Sequence, residues 1–210
     1  MTMRYQLTQK AIERSLKTIA ARDRNVRRAL EIVGYPEARR RPEGFATLLR
    51  IIVGQQVSVS AANAIFGRVL DSIGPDVSAS RLLRLRESTL RKAGLSRAKC
   101  RYARELARTI REGELDLAAL RELPDAEALE KIQVVPGLGR WSAEIYLMFS
   151  LGRPDLWPRG DVGAMRGLQK ILKLELRPTA AEADVLAQRY SPHRTSMALL
   201  AWRCANATAL

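Results

Sequence analysis

Residues Val134–Glu144 read VVPGLGRWSAE. A proline and two glycines fall within Pro136–Gly139, between segments 125–133 and 140–151 that both carry helical spacing, and a tryptophan follows at 141. A glycine turn lets the backbone take conformations that other residues resist. It also leaves amide N–H groups at the start of the next helix, where the helix dipole favours an anion. No side chain intervenes at Gly137 or Gly139, so a phosphate can approach the backbone closely. An ordinary helix–helix corner has the same composition, and on the tetrapeptide alone both readings stand.

Outward from this turn almost everything reads as helix. In GFATLLRIIV, Phe45, Leu48, Leu49 and Ile52 fall at i, i+3, i+4 and i+7, one face of a helix. In SRAKCRYARELARTIREG an apolar stripe of Cys100, Ala103, Leu106 and Ile110 is backed by Arg97, Lys99, Arg101, Arg104, Arg108 and Arg111, with Ser96 as N-cap and Gly113 as stop. Further helices are predicted near 9–21, 24–33, 59–73, 79–92, 162–173, 179–189 and 193–206. No segment sustains a period of two with β-branched enrichment, so the predicted class is all-α. Loops are short and marked by Pro and Gly, and no long linker or internal repeat interrupts the chain.

The 210 residues carry a formal net charge of +14 and are 47% hydrophobic and 28% charged, the balance of a globular protein with a polyanionic partner. Arginines outnumber lysines 29 to 7. Nucleic acid is the first candidate partner and an acidic membrane surface the second, with a solvated basic surface as the plain alternative reading. No apolar run approaches the roughly 20 residues of a membrane span, and the N-terminus lacks the apolar stretch of a secretory signal. Cys100 and Cys204 have no metal-ligand spacing and are too few for a four-cysteine iron–sulfur cluster. They read as reduced thiols of a cytoplasmic protein.

The stretch LEKIQVVPGLGRWSAEIYLM resembles the helix-hairpin-helix of the DNA base-excision glycosylase superfamily. GRW in place of GRK points to its alkylated-base branch. Residues 49–69 (LLRIIVGQQVSVSAANAIFGRV), 93–107 (AGLSRAKCRYARELA), 156–171 (LWPRGDVGAMRGLQKI) and 194–203 (RTSMALLAWR) resemble the same branch in the same order. The resemblance covers roughly residues 40–206 and is to the DNA-3-methyladenine glycosylase II family without the extra N-terminal α/β domain of its longer members. It implies a single two-lobed helical unit over 1–210 with an active-site cleft between the lobes. One lobe would be about 42–151, including the hairpin at 125–151, and the other about 1–41 plus 152–210.

The resemblance also implies residue roles. The Gly137 and Gly139 amides would hold a DNA phosphate, with Arg140, Arg159, Gln55 and Gln56 as further DNA contacts. The carbonyls of Gln133, Val135 and Leu138 would bind a structural Na+ or K+, with no cofactor required. Asp161 aligns with the family's catalytic aspartate. Read by itself, an Asp just before helix 162–173 is a good N-cap. Asp155, in the preceding loop, is its nearest rival and matches no motif position. In the branch that also cleaves the strand, position 141 holds a lysine that attacks the sugar carbon. Trp141 has no amine, so water is the expected nucleophile and an intact abasic site the product. An indole face instead suits a flipped, positively charged alkylpurine. Trp202 aligns with a second pocket tryptophan, and core packing is its plain reading. Tyr146 is a pocket candidate equally readable as core.

Gln56 stands where some relatives carry an intercalating leucine, so polar contacts would fill the gap left by a flipped nucleotide. Ile145 and Ser196 stand where tyrosines are frequent, which bears on substrate range. His193, the sole histidine, has no assigned role. The expected activity is hydrolysis of the N-glycosidic bond of alkylated purines (3-methyladenine, 7-methylguanine) in double-stranded DNA by a monomer. The alternatives are a non-catalytic helix-hairpin-helix DNA-binding module, or a glycosylase for another damaged base.

Overall fold

The computed structural model describes residues 7–208, and among these every regular element is a helix and none a strand. The chain opens with α1 (Gln9–Arg22) and α2 (Arg24–Val33). It continues through α3 (Phe45–Gly54), α4 (Val59–Ile73), α5 (Ala79–Arg84), α6 (Glu87–Lys92) and α7 (Arg97–Arg111). A single 3-10 turn at Ala119–Arg121 precedes α8 (Asp125–Gln133) and α9 (Arg140–Phe149). The last three helices are α10 (Val162–Leu172), α11 (Ala180–Gln188) and α12 (Arg194–Asn206). Contacts divide the chain into one unit of Met1–Arg40 with Leu147–Leu210 and another of Arg41–Tyr146, the division falling within α9.

The Arg41–Tyr146 unit is built on α3. The predicted face of Phe45, Leu48, Leu49 and Ile52 is buried, and so are Ile51 and Val53. A helix apolar on nearly all sides must be surrounded, and α4 and α7 pack against it. Each of these side chains contributes about 2 kcal/mol relative to exposure. On α7 Cys100, Ala103 and Leu106 of the predicted stripe are buried while Ile110, at its end, is half-buried, and Ser96 caps the helix by accepting from Lys99 N.

The predicted continuous helix 79–92 is instead two helices. Leu85 and Arg86 are extended between α5 and α6, and the Arg104 guanidinium takes the Leu85 carbonyl at 2.9 Å. The break lets Leu82 and Leu90, on either side of it, both become fully buried. Arg104 belongs to the arginine-rich face of α7. Part of that face serves the fold itself, and Arg108 likewise pairs with Glu105, Glu112 and Glu114.

The other unit is formed around α10 and α12, which pack closely along one another. Gly167 makes this possible, since a Cβ there would fall 1.8 Å from the Ala201 carbonyl oxygen. Ile12, Leu16 and Ile19 of α1 and Val26 and Ala29 of α2 are sealed in the same unit. Asp23 caps α2 through Asn25 N and Val26 N and accepts from the buried Tyr190 hydroxyl at 3.1 Å. Thr179 and Glu182 form a reciprocal capping box at the start of α11.

Candidate active site and nucleic-acid interface

The hairpin begins where α8 ends. Leu138 N donates to Val135 O at 3.0 Å across Pro136 and Gly137, and Gly137 has φ of 88°. Proline second, a positive-φ glycine third and a closing i→i+3 bond are the signature of a type II turn. Gly137 is required twice over, because a Cβ would also lie 2.3 Å from Tyr102 Cγ of α7. At Gly139 a Cβ would meet no atom within 4 Å, so the turn's outer surface is open there. Gly139 O accepts from Ala143 N and starts α9. Arg140 pairs through Nε with Glu144 at 2.9 Å, where Arg140 is 52% exposed and Glu144 only 2%. The cation therefore satisfies a buried carboxylate while part of its side chain stays open to solvent.

Trp141 is half-buried on the first turn of α9. Tyr146 is fully buried, with its hydroxyl accepting from Gly44 N at 3.0 Å, and burial pushes its pKa up. That environment makes Tyr146 a core residue anchoring the entry to α3. Gln55 and Gln56 follow α3. Gln56 is exposed at φ 55°, whereas Gln55 Nε2 turns inward to Gly137 O at 2.7 Å and Ser142 Oγ at 3.2 Å. Gln55 is thus a brace of the hairpin, a contact that sequence spacing does not reveal.

Asp161 is delivered by a second turn of the same kind. Its N–H donates to Pro158 O at 3.1 Å across Arg159 and Gly160, the latter at φ 72°. As expected, Asp161 caps α10, and Oδ1 accepts from Ala164 N at 2.8 Å. The same oxygen also accepts from Trp202 Nε1 at 2.8 Å, linking residues 41 apart in the chain. Trp202 packs against Phe149 with centroids 5.8 Å apart, and the Arg39 guanidinium lies 5.6 Å over its ring. Gly163 leaves room for this bond, since a Cβ there would sit 3.0 Å from Trp202 Cδ1 and 3.2 Å from Asp161 Oδ1. Arg159 pairs through Nε with Asp184 at 3.1 Å on a half-exposed surface. Such a half-exposed pair is worth at most about 1 kcal/mol.

Asp155, the rival carboxylate, is fully engaged in holding the chain. Arg194 reaches Oδ1 at 2.8 Å and Oδ2 at 3.1 Å, and Ser191 Oγ donates at 2.8 Å. Burial alone would raise the Asp155 pKa, but the hydrogen bonds from Arg194 and Ser191 outweigh it and hold the carboxyl below its ordinary value. Cys100 and Cys204 are buried free thiols, and burial raises Cys204 to about 11. Ser196 is sealed in the core. No helix among the described residues is long and apolar enough to cross a membrane.

A glycine hairpin and a helix-capping aspartate bonded to tryptophan are accompanied by a family match over residues 49–192, to the HhH-GPD superfamily base excision DNA repair protein. The chain belongs to the HhH-GPD superfamily. Solved relatives share its fold across nearly the whole length. The Schizosaccharomyces pombe 3-methyladenine DNA glycosylase Mag1, in complex with abasic DNA, is 26% identical with a TM-score of 0.83, covering 90% of this chain and 95% of that one. The DNA-3-methyladenine glycosidase of Bacillus halodurans is 32% identical with a TM-score of 0.79, covering 91% and 89%. A match to the Bacillus subtilis protein YfjP, 26% identical over 166 residues, takes in 76% of this chain but only 58% of that relative.

Proposed function

We propose that this HhH-GPD protein is a monofunctional DNA glycosylase of base excision repair, hydrolysing the N-glycosidic bond of alkylated purines such as 3-methyladenine and 7-methylguanine flipped out of duplex DNA. The observation that carries the reading is Asp161 Oδ1, fixed by the Ala164 and Trp202 N–H groups at 2.8 Å each. Cleaving this bond builds positive charge on the sugar, and a rigidly held carboxylate at that point stabilises it without reorganising. The same carboxylate orients the attacking water. Two N–H donors on a single oxygen fix the plane and direction of the group, and Trp202 acts here as a positioning residue. The positive charge of an alkylated purine already makes it a good leaving group, so the protein needs no strong general acid.

Trp141 supports hydrolysis without strand cleavage, because it offers no amine to attack the sugar. Its indole face suits a cationic base. The hairpin amides at Gly137 and Gly139, with Arg140, take a backbone phosphate, a contact that positions without reading sequence. The carbonyls of Gln133, Val135 and Leu138 are hard oxygen donors of the kind that hold Na+ or K+, and such an ion would stiffen the turn. A non-catalytic binding module would have no use for the Trp202–Asp161 bond.

The deciding experiment measures base release from methylated duplex DNA together with strand integrity and DNA affinity. Wild-type protein is expected to free 3-methyladenine without nicking. Asp161→Asn is expected to bind comparably and to lose about a hundredfold or more in release rate. Binding by both proteins with no release by either would sink the enzymatic reading.

A further inference from the structure

The loop that carries Gln56 is tied down by side chains that the proposed chemistry does not use. A helix C-terminus leaves backbone carbonyls without intrahelical partners. At the end of α3, Lys99 of α7 takes two, with Nζ donating 2.7 Å to Val53 O and 2.7 Å to Gln55 O. A cation is the favoured charge at that end of a helix. Gln55 then reaches the other way, to Gly137 O and Ser142 Oγ. Three residues along α7 from Lys99, Tyr102 packs against Gly137 of the hairpin. One helix therefore supports both segments, and Gln55 joins them. Between these ties Gln56 is exposed and held at φ 55°. A non-glycine residue persists in that region only when its surroundings impose it.

We propose that Lys99 and Gln55 are positioning residues that lock the Gln56 loop to the hairpin in one conformation before DNA arrives. A loop already ordered loses no conformational entropy on entering the gap left by a flipped nucleotide. The use of the loop in that gap rests on the glycosylase reading, whereas the locking itself does not. A lysine serving global stability alone would lower the melting temperature and leave both the loop's order and its work on DNA unchanged.

The test compares wild type, Lys99→Met, Lys99→Arg and Gln55→Met, with Lys92→Met, at the exposed last residue of α6, as the control for losing one charge. Three quantities are read. They are amide hydrogen exchange over residues 53–58 and at Leu138, fluorescence of 2-aminopurine opposite a stable abasic analogue, and single-turnover release of 3-methyladenine. Lys99→Met and Gln55→Met are expected to speed exchange about tenfold in the loop. They should also lower the fluorescence response and the release rate about tenfold. Affinity for undamaged duplex should stay within about twofold of Lys92→Met, and Lys99→Arg should recover part of the loss. Unchanged exchange in both variants overturns the proposal, as does faster exchange with unaltered fluorescence and release. If wild type releases no base, the glycosylase reading fails separately, and exchange and fluorescence still decide whether the loop is locked.

Discussion

At the scale of single residues, the candidate site turns on which atoms a side chain already holds. Asp161 was readable as a cap, and the structure shows that the same oxygen also accepts from Trp202. Gly163 is the residue whose smallness permits this. A methyl group there meets both Trp202 and Asp161 closer than ordinary van der Waals contact. Gly163→Ala is therefore expected to displace the indole by a few tenths of an ångström and slow base release about tenfold, leaving duplex affinity near wild type. Release kinetics together with the Trp202 indole N–H resonance would check it. An unmoved resonance with slowed release would place the effect elsewhere. Tyr146 shows the converse lesson, since helical spacing offered it equally to core and pocket and only its bond to Gly44 N settles its surroundings.

At the scale of elements, the anchoring of α12 depends on Asp155 and Arg194, each 22% exposed. Losing one partner of a largely buried pair strands the other, at a cost of about 3 kcal/mol. Asp155→Asn should accordingly lower the melting temperature at neutral pH. The native Asp155 carboxyl titrates below its ordinary value, and an unfolded aspartate titrates near pH 4. Its contribution is then complete above about pH 4 and is lost as pH falls through the lower native value. The gap between wild type and Asp155→Asn in calorimetric melts should shrink on acidification below about pH 4, and a gap that widens would reverse the sign assigned here. The division of 79–92 into α5 and α6 belongs to this scale too. Its sequence has unbroken helical character, and the interruption follows from Arg104, which arrives from another helix to take the Leu85 carbonyl.

At the scale of the whole molecule, with duplex DNA as the proposed partner, the net charge of +14 predicts an affinity that depends on displaced counterions. The logarithm of the binding constant should fall linearly with the logarithm of salt concentration, and Asp161→Asn should keep that slope. Arg140→Ala should reduce its magnitude by about 1, as titrations at several salt concentrations would show. Unchanged slope in Arg140→Ala would remove Arg140 from the phosphate contacts. The sequence by itself determined the all-helical class, a tight glycine turn within Pro136–Gly139, which the structure closes from Val135 to Leu138, the cap at Asp161 and the family motifs. Each of these is encoded within a few neighbouring residues, by hydrophobic period, by proline and glycine geometry, or by a short polar side chain before a helix. Only the tertiary structure decided that Trp202 bonds to Asp161, 41 residues away, that Gln55 holds Gly137 across 82, and that Asp155 belongs to Arg194 across 39. Such bonds depend on where the folded chain brings distant segments together, and no local pattern carries that information.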